Sequence, residues 1–352
     1  MTQWERLETV FALSRPDRTP VLGGWIACPE HIMKIADVDE ETYWADPQNV
    51  SIEAYLRLDA DGLIDNFVPH RGDFRCVDKG GYLKSDSGQT LDQCLAEIEA
   101  MPSPEKVEDD FDFEGEYARL RRGILDGTED CRGMVWMPAQ WGIGATACHY
   151  GQFGYENYFL ICALHEAHAR KLIEVSGARG RLWSCIFARA VAEGIYPHAM
   201  LMGEDICTQR GPMVSPEFLE KHFLPELKRG LEPLLEVGCR PVWHCDGDVR
   251  QILPMLFEAG VRGLQGFQPE CGLNIDTVAR MRTREGEPLV IFGPLAVTTE
   301  LPACSPDDVR AKVRHAIDVC REAGAGLCIF SANTINPDVP LENVLAMYDA
   351  AR

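Results

Sequence analysis

The sequence has few basic residues and no long apolar run, and these two features exclude several classes of binding partner. It carries 34 Lys and Arg residues against 55 Asp and Glu residues, a formal charge of −21. So acidic a chain is a poor partner for the phosphate backbone of nucleic acid or for an anionic membrane surface. No apolar run approaches the roughly 20 residues that span a bilayer. The sequence therefore predicts a soluble protein with neither a nucleic-acid nor a membrane partner.

Paired cysteines are also missing. Fourteen cysteines are present, but no two form a Cys-x-x-Cys pair, and most stand singly in apolar surroundings, as Cys162, Cys185 and Cys328 do. Buried, reduced thiols that act as small apolar side chains are the ordinary interpretation. The first segment, MTQWERLETVFALSRPDR, reads as an amphipathic helix and a turn, without the apolar core and cleavage site of a signal peptide. We therefore expect a cytoplasmic protein.

The second half of the sequence alternates between apolar runs and helical patterns, without an internal repeat, a low-complexity segment or a linker. Continuous apolar runs predict strands in residues 198–205, 240–245, 263–268, 288–293 and 326–332. Unbroken runs of this kind are typical of a parallel sheet that is covered on both faces. The segments between them predict helices in residues 215–238, 248–260 and 305–324.

The first half fits the same scheme less regularly. Further strands are predicted in residues 20–26, 61–64 and 133–138, one or two helices in residues 154–194, and an insertion in the polar residues 71–112. Eight strands, each followed by a helix or loop, predict an α/β protein built as a single (β/α)8 TIM barrel over residues 1–352. A doubly wound open sheet is the alternative, but the absence of a Gly-x-Gly-x-x-Gly motif counts against it.

Polar side chains follow the predicted strands. In a (β/α)8 barrel the residues just past the strands' carboxyl ends face one common mouth, where catalytic groups lie. This set contains no lysine, and it consists of Trp25, Cys28, Asp65, Asn66, Gln140, Trp141, Glu204, Asp205, His244, Asp246, Gln268, Glu270 and Asn333. We predict His244, Asp246 and Asp205 as catalytic residues. The predicted substrate-binding residues are Trp25, Asn66, Gln140, Trp141, Glu204, Gln268 and Asn333.

The stretch PVWHCDGDV, residues 241–249, holds the strongest candidates. Alternate residues of an extended segment share a face, so His244 and Asp246 point together while Cys245 points away. A His-x-Asp pair can bind a divalent metal, or the carboxylate can orient the histidine for proton transfer. Gly247 allows a sharp exit from the strand. Asp248 is predicted to cap the helix that follows.

Three other features have weaker functional interpretations. Glu204 and Asp205 could hold a cation or bind substrate hydroxyls, or could lie in a solvated loop. The stretch HEAHAR, with His165 and His168, misses the His-Glu-x-x-His spacing of zinc proteases by one residue and reads as helix surface. The aromatic segment in residues 148–159 could cover the barrel mouth or simply pack against the barrel.

Several segments, in this order, resemble the uroporphyrinogen decarboxylase superfamily of (β/α)8 barrels, which includes the decarboxylase and the cobalamin-dependent methyltransferases. They are GEDICTQRGPMVSPEFLEKHFLPELK, VWHCDGDV, IFGPLAV and GLCIFSANTINPDVPLENVLAM. The resemblance is strong from residue 198 onward and thins toward DRTPV near the start. The decarboxylase type implies an arginine-bearing segment after the first strand. The corresponding stretch here, GGWIACPEHIMK, has no arginine, which disfavours a polyanionic porphyrinogen.

The methyltransferase branch implies a Zn²⁺ ion held by a His-x-Cys pair at the fifth strand and a cysteine after the eighth. The histidine of that pattern matches His244, whereas Asp246 and Asn333 stand at or near the two cysteine positions. The resemblance thus implies His244, Asp246 and Asn333 as metal ligands, with Asp205 or Glu204 completing the shell. Oxygen ligands in place of thiolates should weaken zinc binding. Alternatively, no metal binds and His244 and Asp246 act on the substrate directly.

From this resemblance we predict a corrinoid-linked methyltransferase. It would move a methyl group between a small O- or N-methylated compound and a separate corrinoid protein that carries cobalamin. Two alternatives stay open. A decarboxylase or lyase acting on a small acid would use His244 as proton donor and need a cationic anchor, for which Arg71, Arg75 and Arg189 are the candidates. A non-enzymatic role, such as delivering a cofactor to a partner, would need no catalytic residues.

Overall fold

A computed structural model describes residues 1–69 and 88–352. Within these ranges the chain forms ten strands: β1 (Leu22–Gly23), β2 (Gly62–Leu63), β3 (Val135–Trp136), β4 (Ala199–Gly203), β5 (Cys207–Thr208), β6 (Gly211–Pro212), β7 (Arg240–His244), β8 (Gly263–Gln265), β9 (Val290–Leu295) and β10 (Gly326–Ser331). Each of the eight predicted strands is present, and the mixed α/β architecture is confirmed. The short β5 and β6 form an additional antiparallel hairpin.

Helices occupy most of the chain between the strands. They are α1 (Gln3–Phe11), α2 (Pro29–Ala36), α3 (Glu40–Ala45), α4 (Pro47–Arg57), α5 (Leu91–Ala100), α6 (Pro104–Asp109), α7 (Phe113–Asp130), α8 (Tyr150–Phe153), α9 (Tyr155–Leu164), α10 (Glu166–Ala192), α11 (Pro216–Phe218), α12 (Leu224–Glu236), α13 (Leu253–Ala259), α14 (Ile275–Val278), α15 (Pro306–Ala323) and α16 (Leu341–Asp349). A π-helical turn, Leu219–Phe223, joins α11 to α12, and a 3₁₀ turn, Pro269–Cys271, follows β8. No helix in the described ranges combines the length and hydropathy needed to cross a bilayer.

The strands other than the hairpin pair in parallel in two sheets, of order β1-β2-β3 and β10-β9-β8-β7-β4. Two isolated parallel bridges link the sheets. Val21 beside β1 pairs with Ile329 of β10, and Gln140 beyond β3 pairs with Met202 of β4. The three-stranded sheet therefore has the five-stranded sheet as a neighbour at both of its edges. Parallel pairing brings the carboxyl ends of these strands to one side of the molecule.

The burial of the strands explains their unbroken apolar runs. Every residue of β4, β7, β9 and β10 is buried, as expected of parallel strands that are covered on both faces. The largest fully buried side chains include Trp243, Phe292 and Phe330. A rigid core of this kind holds the strand ends, and whatever side chains follow them, at fixed positions.

Two boundaries differ from the sequence predictions or refine them. Residues 154–194 form two helices, α9 and α10, which meet at His165. The helix α13 begins only at Leu253, so the prediction that Asp248 caps it is wrong. The Asp248 carboxylate instead binds the Arg250 guanidinium at 2.7 Å, which holds the pKa of Asp248 below its usual range.

The predicted insertion, residues 71–112, is described only from residue 88 onward, and its first part lies outside the described residues. The later part forms α5 and α6. Helix α5 packs against α9 and α10 around a second, smaller core. That core includes Cys94 and Ile98 from α5 with Tyr158 and Ile161 from α9. The aromatic segment in residues 148–159 is therefore partly a packing element, as one of its two interpretations proposed.

Candidate active site

A cavity of about 810 Å³ opens beside the carboxyl ends of β1, β4, β7, β8, β9 and β10. This volume lies within the usual range of small-ligand sites, roughly 300–1,000 Å³. We call it the mouth cavity. Its lining is Trp25, Phe67, Trp141, Tyr150, Tyr155, Asp205, Cys207, Thr208, Met213, His244, Asp246, Gly266, Gln268, Ala296, Val297, Thr298, Ala332, Asn333, Thr334 and Asn336. The mouth cavity thus contains all three predicted catalytic residues and four of the predicted substrate-binding residues, Trp25, Trp141, Gln268 and Asn333.

Asp205, His244 and Asp246 form one group, which we call the Asp–His–Asp cluster. One ligand atom from each lies within 4.8 Å of the other two. The Oδ1 atom of Asp205 is 3.5 Å from Nε2 of His244 and accepts the backbone N–H of Asp246 at 2.9 Å. The Asp205 side chain is 47 % exposed, whereas His244 is buried. The cluster therefore presents one accessible carboxylate beside a fixed imidazole.

Gln265 determines which nitrogen of His244 carries the proton. The Nε2 amide group of Gln265 donates to the carbonyl oxygens of Ser331 at 2.8 Å and Ala332 at 2.9 Å. This leaves the Oε1 atom of Gln265 to accept from Nδ1 of His244. In the neutral imidazole one nitrogen donates and the other accepts, so Nε2 has a free lone pair on the side of Asp205. The lone pair can bind a cation or accept a proton.

Asp246 is held by a second hydrogen bond from across the strand ends. Asn333 donates from Nδ2 to Oδ2 of Asp246 at 2.7 Å, and its own Oδ1 accepts the N–H of Thr334 at 2.6 Å. Both ends of the Asn333 amide are thus engaged, and Asn333 orients Asp246. Burial raises the pKa of Asp246 to about 6, and the nearby Asp205 carboxylate acts in the same direction. Above that pH Asp246 is ionised.

Aromatic rings form the walls around the Asp–His–Asp cluster. We call Trp25, Phe67, Trp141, Tyr150 and Tyr155 the aromatic wall. Two of its members meet the His244 ring edge to face, Trp25 at 5.8 Å and Trp141 at 5.5 Å between ring centroids. The rings of Tyr150 and Tyr155 stack at 4.4 Å, and the Tyr150 hydroxyl donates to the backbone oxygen of Asp205 at 3.0 Å.

Glu204 points away from the mouth cavity, unlike its neighbour Asp205. Its Oε1 accepts the N–H of Ala147 at 2.6 Å, and its Oε2 accepts the N–H of Cys148 at 3.0 Å. Burial raises the pKa of the Glu204 carboxyl to about 7, although the two amides favour its ionised form. Glu204 therefore anchors the segment that leads into α8. It is not a cavity residue and, with both oxygens engaged, not a free metal ligand.

Replacing Glu204 should test this anchoring role. We expect Glu204→Ala to lower the free energy of unfolding by about 2–4 kcal/mol, because two backbone N–H groups lose their acceptor. Denaturant titration followed by circular dichroism measures the effect. The exposed Glu220 provides a matched control, since it lies on the helical surface. Equal stabilities of Glu204→Ala and Glu220→Ala would contradict the anchoring role.

Two other predicted substrate-binding residues do not line the mouth cavity. The Asn66 amide bonds with Gln48 at 2.8 Å and with the Ser51 hydroxyl at 2.7 Å. The side chain of Gln140 donates to the backbone oxygen of Pro138 at 2.9 Å. Both residues follow short strands by several positions, where the chain has already turned.

Arg189, the candidate cationic anchor of a decarboxylase that lies within the described residues, does not line the mouth cavity. Arg189 lies on α10, pairs with Glu114 at 3.0 Å and Glu193 at 3.1 Å, and covers the ring of Tyr117. Arg71 and Arg75 lie outside the described residues. Among the described residues, no lysine or arginine lines the mouth cavity. An acidic substrate would therefore meet no positively charged side chain in the described part of the cavity lining.

The residues of the Asp–His–Asp cluster fit a divalent metal ion. Nε2 of His244 and one carboxylate oxygen each from Asp205 and Asp246 would supply three donors, with further positions open to solvent or substrate. Asn333, also predicted as a ligand, bonds with Asp246 and with the N–H of Thr334, and Asp205 lies where the sequence left a choice between Asp205 and Glu204. A set with one nitrogen and two hard oxygens binds zinc less tightly than one with thiolates.

Comparison with known proteins supports the fold. No protein-family model matches the chain, and no curated protein matches its sequence. Among the solved structures, the chain is similar to a methyltransferase from Methanosarcina mazei, with a TM-score of 0.58 and 15 % sequence identity. The match covers 100 % of this chain and 98 % of the other. The two proteins therefore share a fold over their whole lengths.

Proposed function

We propose that the protein is a methyltransferase that moves a methyl group between a small methylated compound and a corrinoid carried by a separate protein. The observation that carries the proposal is the Asp–His–Asp cluster inside a ligand-sized cavity at the carboxyl ends of parallel strands. The whole-length likeness to a methyltransferase and the motif resemblance support the same reaction class. They do not identify the methyl donor.

We also infer that the eight parallel strands form one closed (β/α)8 barrel in a single domain. The bridges between Val21 and Ile329 and between Gln140 and Met202 support closure at both junctions of the two sheets. A doubly wound open sheet would leave two strands without a neighbour on one side. The mouth cavity then lies where active sites of such barrels lie.

The proposed reaction requires positioning more than acid–base chemistry. The carbon–heteroatom bond of the donor breaks with its electron pair left on the heteroatom, and the reduced corrinoid, as co-substrate, supplies the pair for the new bond to carbon. Holding the methyl carbon in line between the two is the main contribution that a protein can make. The aromatic wall excludes water from the donor, while Nε2 of His244 and the two carboxylates orient its polar end.

A divalent ion in the Asp–His–Asp cluster would add Lewis-acid polarisation of an oxygen on the donor. We expect only weak binding, because thiolate ligands are missing. The purified protein should therefore contain zinc well below one equivalent, and chelation should leave methyl transfer unchanged. Elemental analysis of wild type and His244→Ala measures this. Stoichiometric zinc in the wild type that disappears in the variant would contradict the expectation.

The proposed activity is tested with free cob(I)alamin under anaerobic conditions. The protein is offered methylated amines and methylated phenols, and small carboxylic acids as a separate arm. We expect methylcobalamin to form with at least one class of methyl donor, and the acids to release no carbon dioxide. Release of carbon dioxide without methylcobalamin would support a lyase instead. Folded protein that transfers a methyl group from none of the donors would overturn the proposal.

A further inference from the structure

We propose that the mouth cavity binds a small methylated onium cation of the quaternary ammonium type, seated between the aromatic wall and the two carboxylates of the Asp–His–Asp cluster. Calling this cation a methyl donor rests on the function proposed above, whereas its binding does not. The cation would serve as the counter-ion of Asp205 and Asp246 in place of a divalent metal. The tests below therefore include a metal-free condition.

The charge of the lining is the first argument. Asp205 and Asp246 face the mouth cavity, and no described lysine or arginine lines it to balance them. The third member of the cluster, His244, donates its Nδ1 proton to Gln265, so in its neutral form it presents the Nε2 lone pair to the cavity and adds no positive charge. Unbalanced carboxylates in a partly enclosed site favour a cationic ligand and disfavour an anionic one.

The aromatic wall is the second argument, and it is independent of the charges. The indoles of Trp25 and Trp141 lie 6.4 Å apart with 32° between their planes, and Phe67 lies 5.7 Å from Trp25. Trp141 is 49 % exposed and Phe67 41 % exposed, although both are large apolar side chains. Electron-rich ring faces attract a cation, indole most strongly, and cages of such rings bind quaternary ammonium groups. A site for a metal ion would not require these rings.

The rest of the lining indicates which groups the ligand carries besides its cationic head. The polar groups beyond the cluster are uncharged and include Thr208, Thr298, Thr334 and Asn336. They suit a hydroxyl or an ether oxygen. A carboxylate on the ligand would meet Asp205 and Asp246 without a cationic partner among the described residues. The lining therefore favours a choline-like alcohol over a betaine.

A quaternary ammonium donor also suits a site in which Nε2 of His244 supplies no proton. When its carbon–nitrogen bond breaks, the electron pair stays on nitrogen, which leaves as a neutral tertiary amine. The electron pair of the new bond to carbon comes from the reduced corrinoid named above as co-substrate. No proton is needed at this step. A neutral His244 without a proton on Nε2 is therefore compatible with the reaction, whereas a phenolate leaving from a methyl ether would gain from a proton donor there.

The binding test compares choline with its uncharged carbon isostere, in which a tert-butyl group replaces the trimethylammonium head. Isothermal calorimetry on chelator-treated protein gives both dissociation constants. We expect choline to bind roughly tenfold more tightly than the isostere, the size of a cation–π and charge contribution at a partly desolvated site. Glycine betaine should bind more weakly than choline. Equal binding of choline and the isostere, no binding of either, or choline binding only when zinc is added would overturn the proposal.

Matched variants separate the aromatic and the charge contributions. Trp141→Leu should weaken choline binding roughly tenfold and binding of the isostere much less. Trp44→Leu is the control, because Trp44 lies on α3, outside the cavity lining. Asp205→Asn should likewise weaken choline binding selectively. A Trp141→Leu variant that binds choline as Trp44→Leu does would contradict the proposed cage.

The two proposals fail in different ways. Choline that binds with the expected selectivity but yields no methylcobalamin would leave the cation site standing and count against the methyltransferase. Methyl transfer from a methylated phenol by a protein that does not bind choline would leave the methyltransferase standing and overturn the cation site.

Discussion

The variant His244→Ala should lower kcat/KM for methyl transfer by about 100-fold or more. A small misplacement of a bound substrate can cost that much. The imidazole touches the rings of both Trp25 and Trp141 edge to face, and its Nε2 atom lies beside Asp205. Removing the imidazole of His244 therefore both loosens the aromatic wall and deletes a polar contact. The measurement is the initial rate of methylcobalamin formation at several donor concentrations.

His315 is the matched control for this variant. It lies on α15 at the surface and pairs with Asp276 at 3.1 Å, far from the cavity lining. His315→Ala should retain the wild-type kcat/KM. A loss of activity in His244→Ala no greater than in His315→Ala would remove His244 from the proposed mechanism.

The variant Gln265→Leu should have two effects, one on stability and one on activity. It leaves the carbonyls of Ser331 and Ala332 and the Nδ1–H of His244 without their buried partner. We expect the free energy of unfolding to fall by about 2–5 kcal/mol, since buried polar groups without partners are costly. Activity at a temperature where the variant is folded should fall roughly tenfold or more, because His244 loses its fixed orientation.

Histidine tautomers provide a readout that a purely structural role of Gln265 would not change. Nitrogen-15 spectra of the wild type should show His244 protonated on Nδ1, and Gln265→Leu should show a mixture of tautomers. The exposed Gln251 serves as control, with unchanged stability, activity and spectrum. A wild-type His244 protonated on Nε2 instead would contradict the assignment.

Most of the fold could be predicted from the sequence because buried parallel strands leave an unmistakable pattern. The segments around β4 and β7 are apolar without interruption, and the structure buries each of their residues. The end of each apolar run then marks the carboxyl end of a strand. This is why Asp205 could be grouped from the sequence with His244 and Asp246, which follow a different strand.

The sequence could not show which side chains near a strand end turn toward the mouth cavity. Glu204 and Asp205 are adjacent, and only the backbone amides of residues 147 and 148 explain why Glu204 turns away. Asn66 and Gln140 follow strands of two residues, after which alternation no longer determines direction. The contribution of Tyr150 depends on how a long connection folds back over the strand ends, which no local pattern encodes.

Gln265 was missed for a different reason. It is the last residue of β8 and the one polar residue of that buried strand, whose sequence is GLQ. A glutamine in such a place must find partners, and that requirement was the available signal. Its partners are His244, Ser331 and Ala332, from two neighbouring regions of the fold, so their identity needed the three-dimensional arrangement.

The most direct test of the methyltransferase proposal is isotopic. Donors that carry a deuterated methyl group, with choline and a methylated phenol among them, are incubated with the protein and free cob(I)alamin, and the cobalamin is analysed by mass spectrometry. We expect wild-type protein to transfer the intact deuterated methyl group to cobalt and His244→Ala to transfer almost none. Unlabelled cobalamin from every donor, with folded wild-type protein, would contradict this expectation.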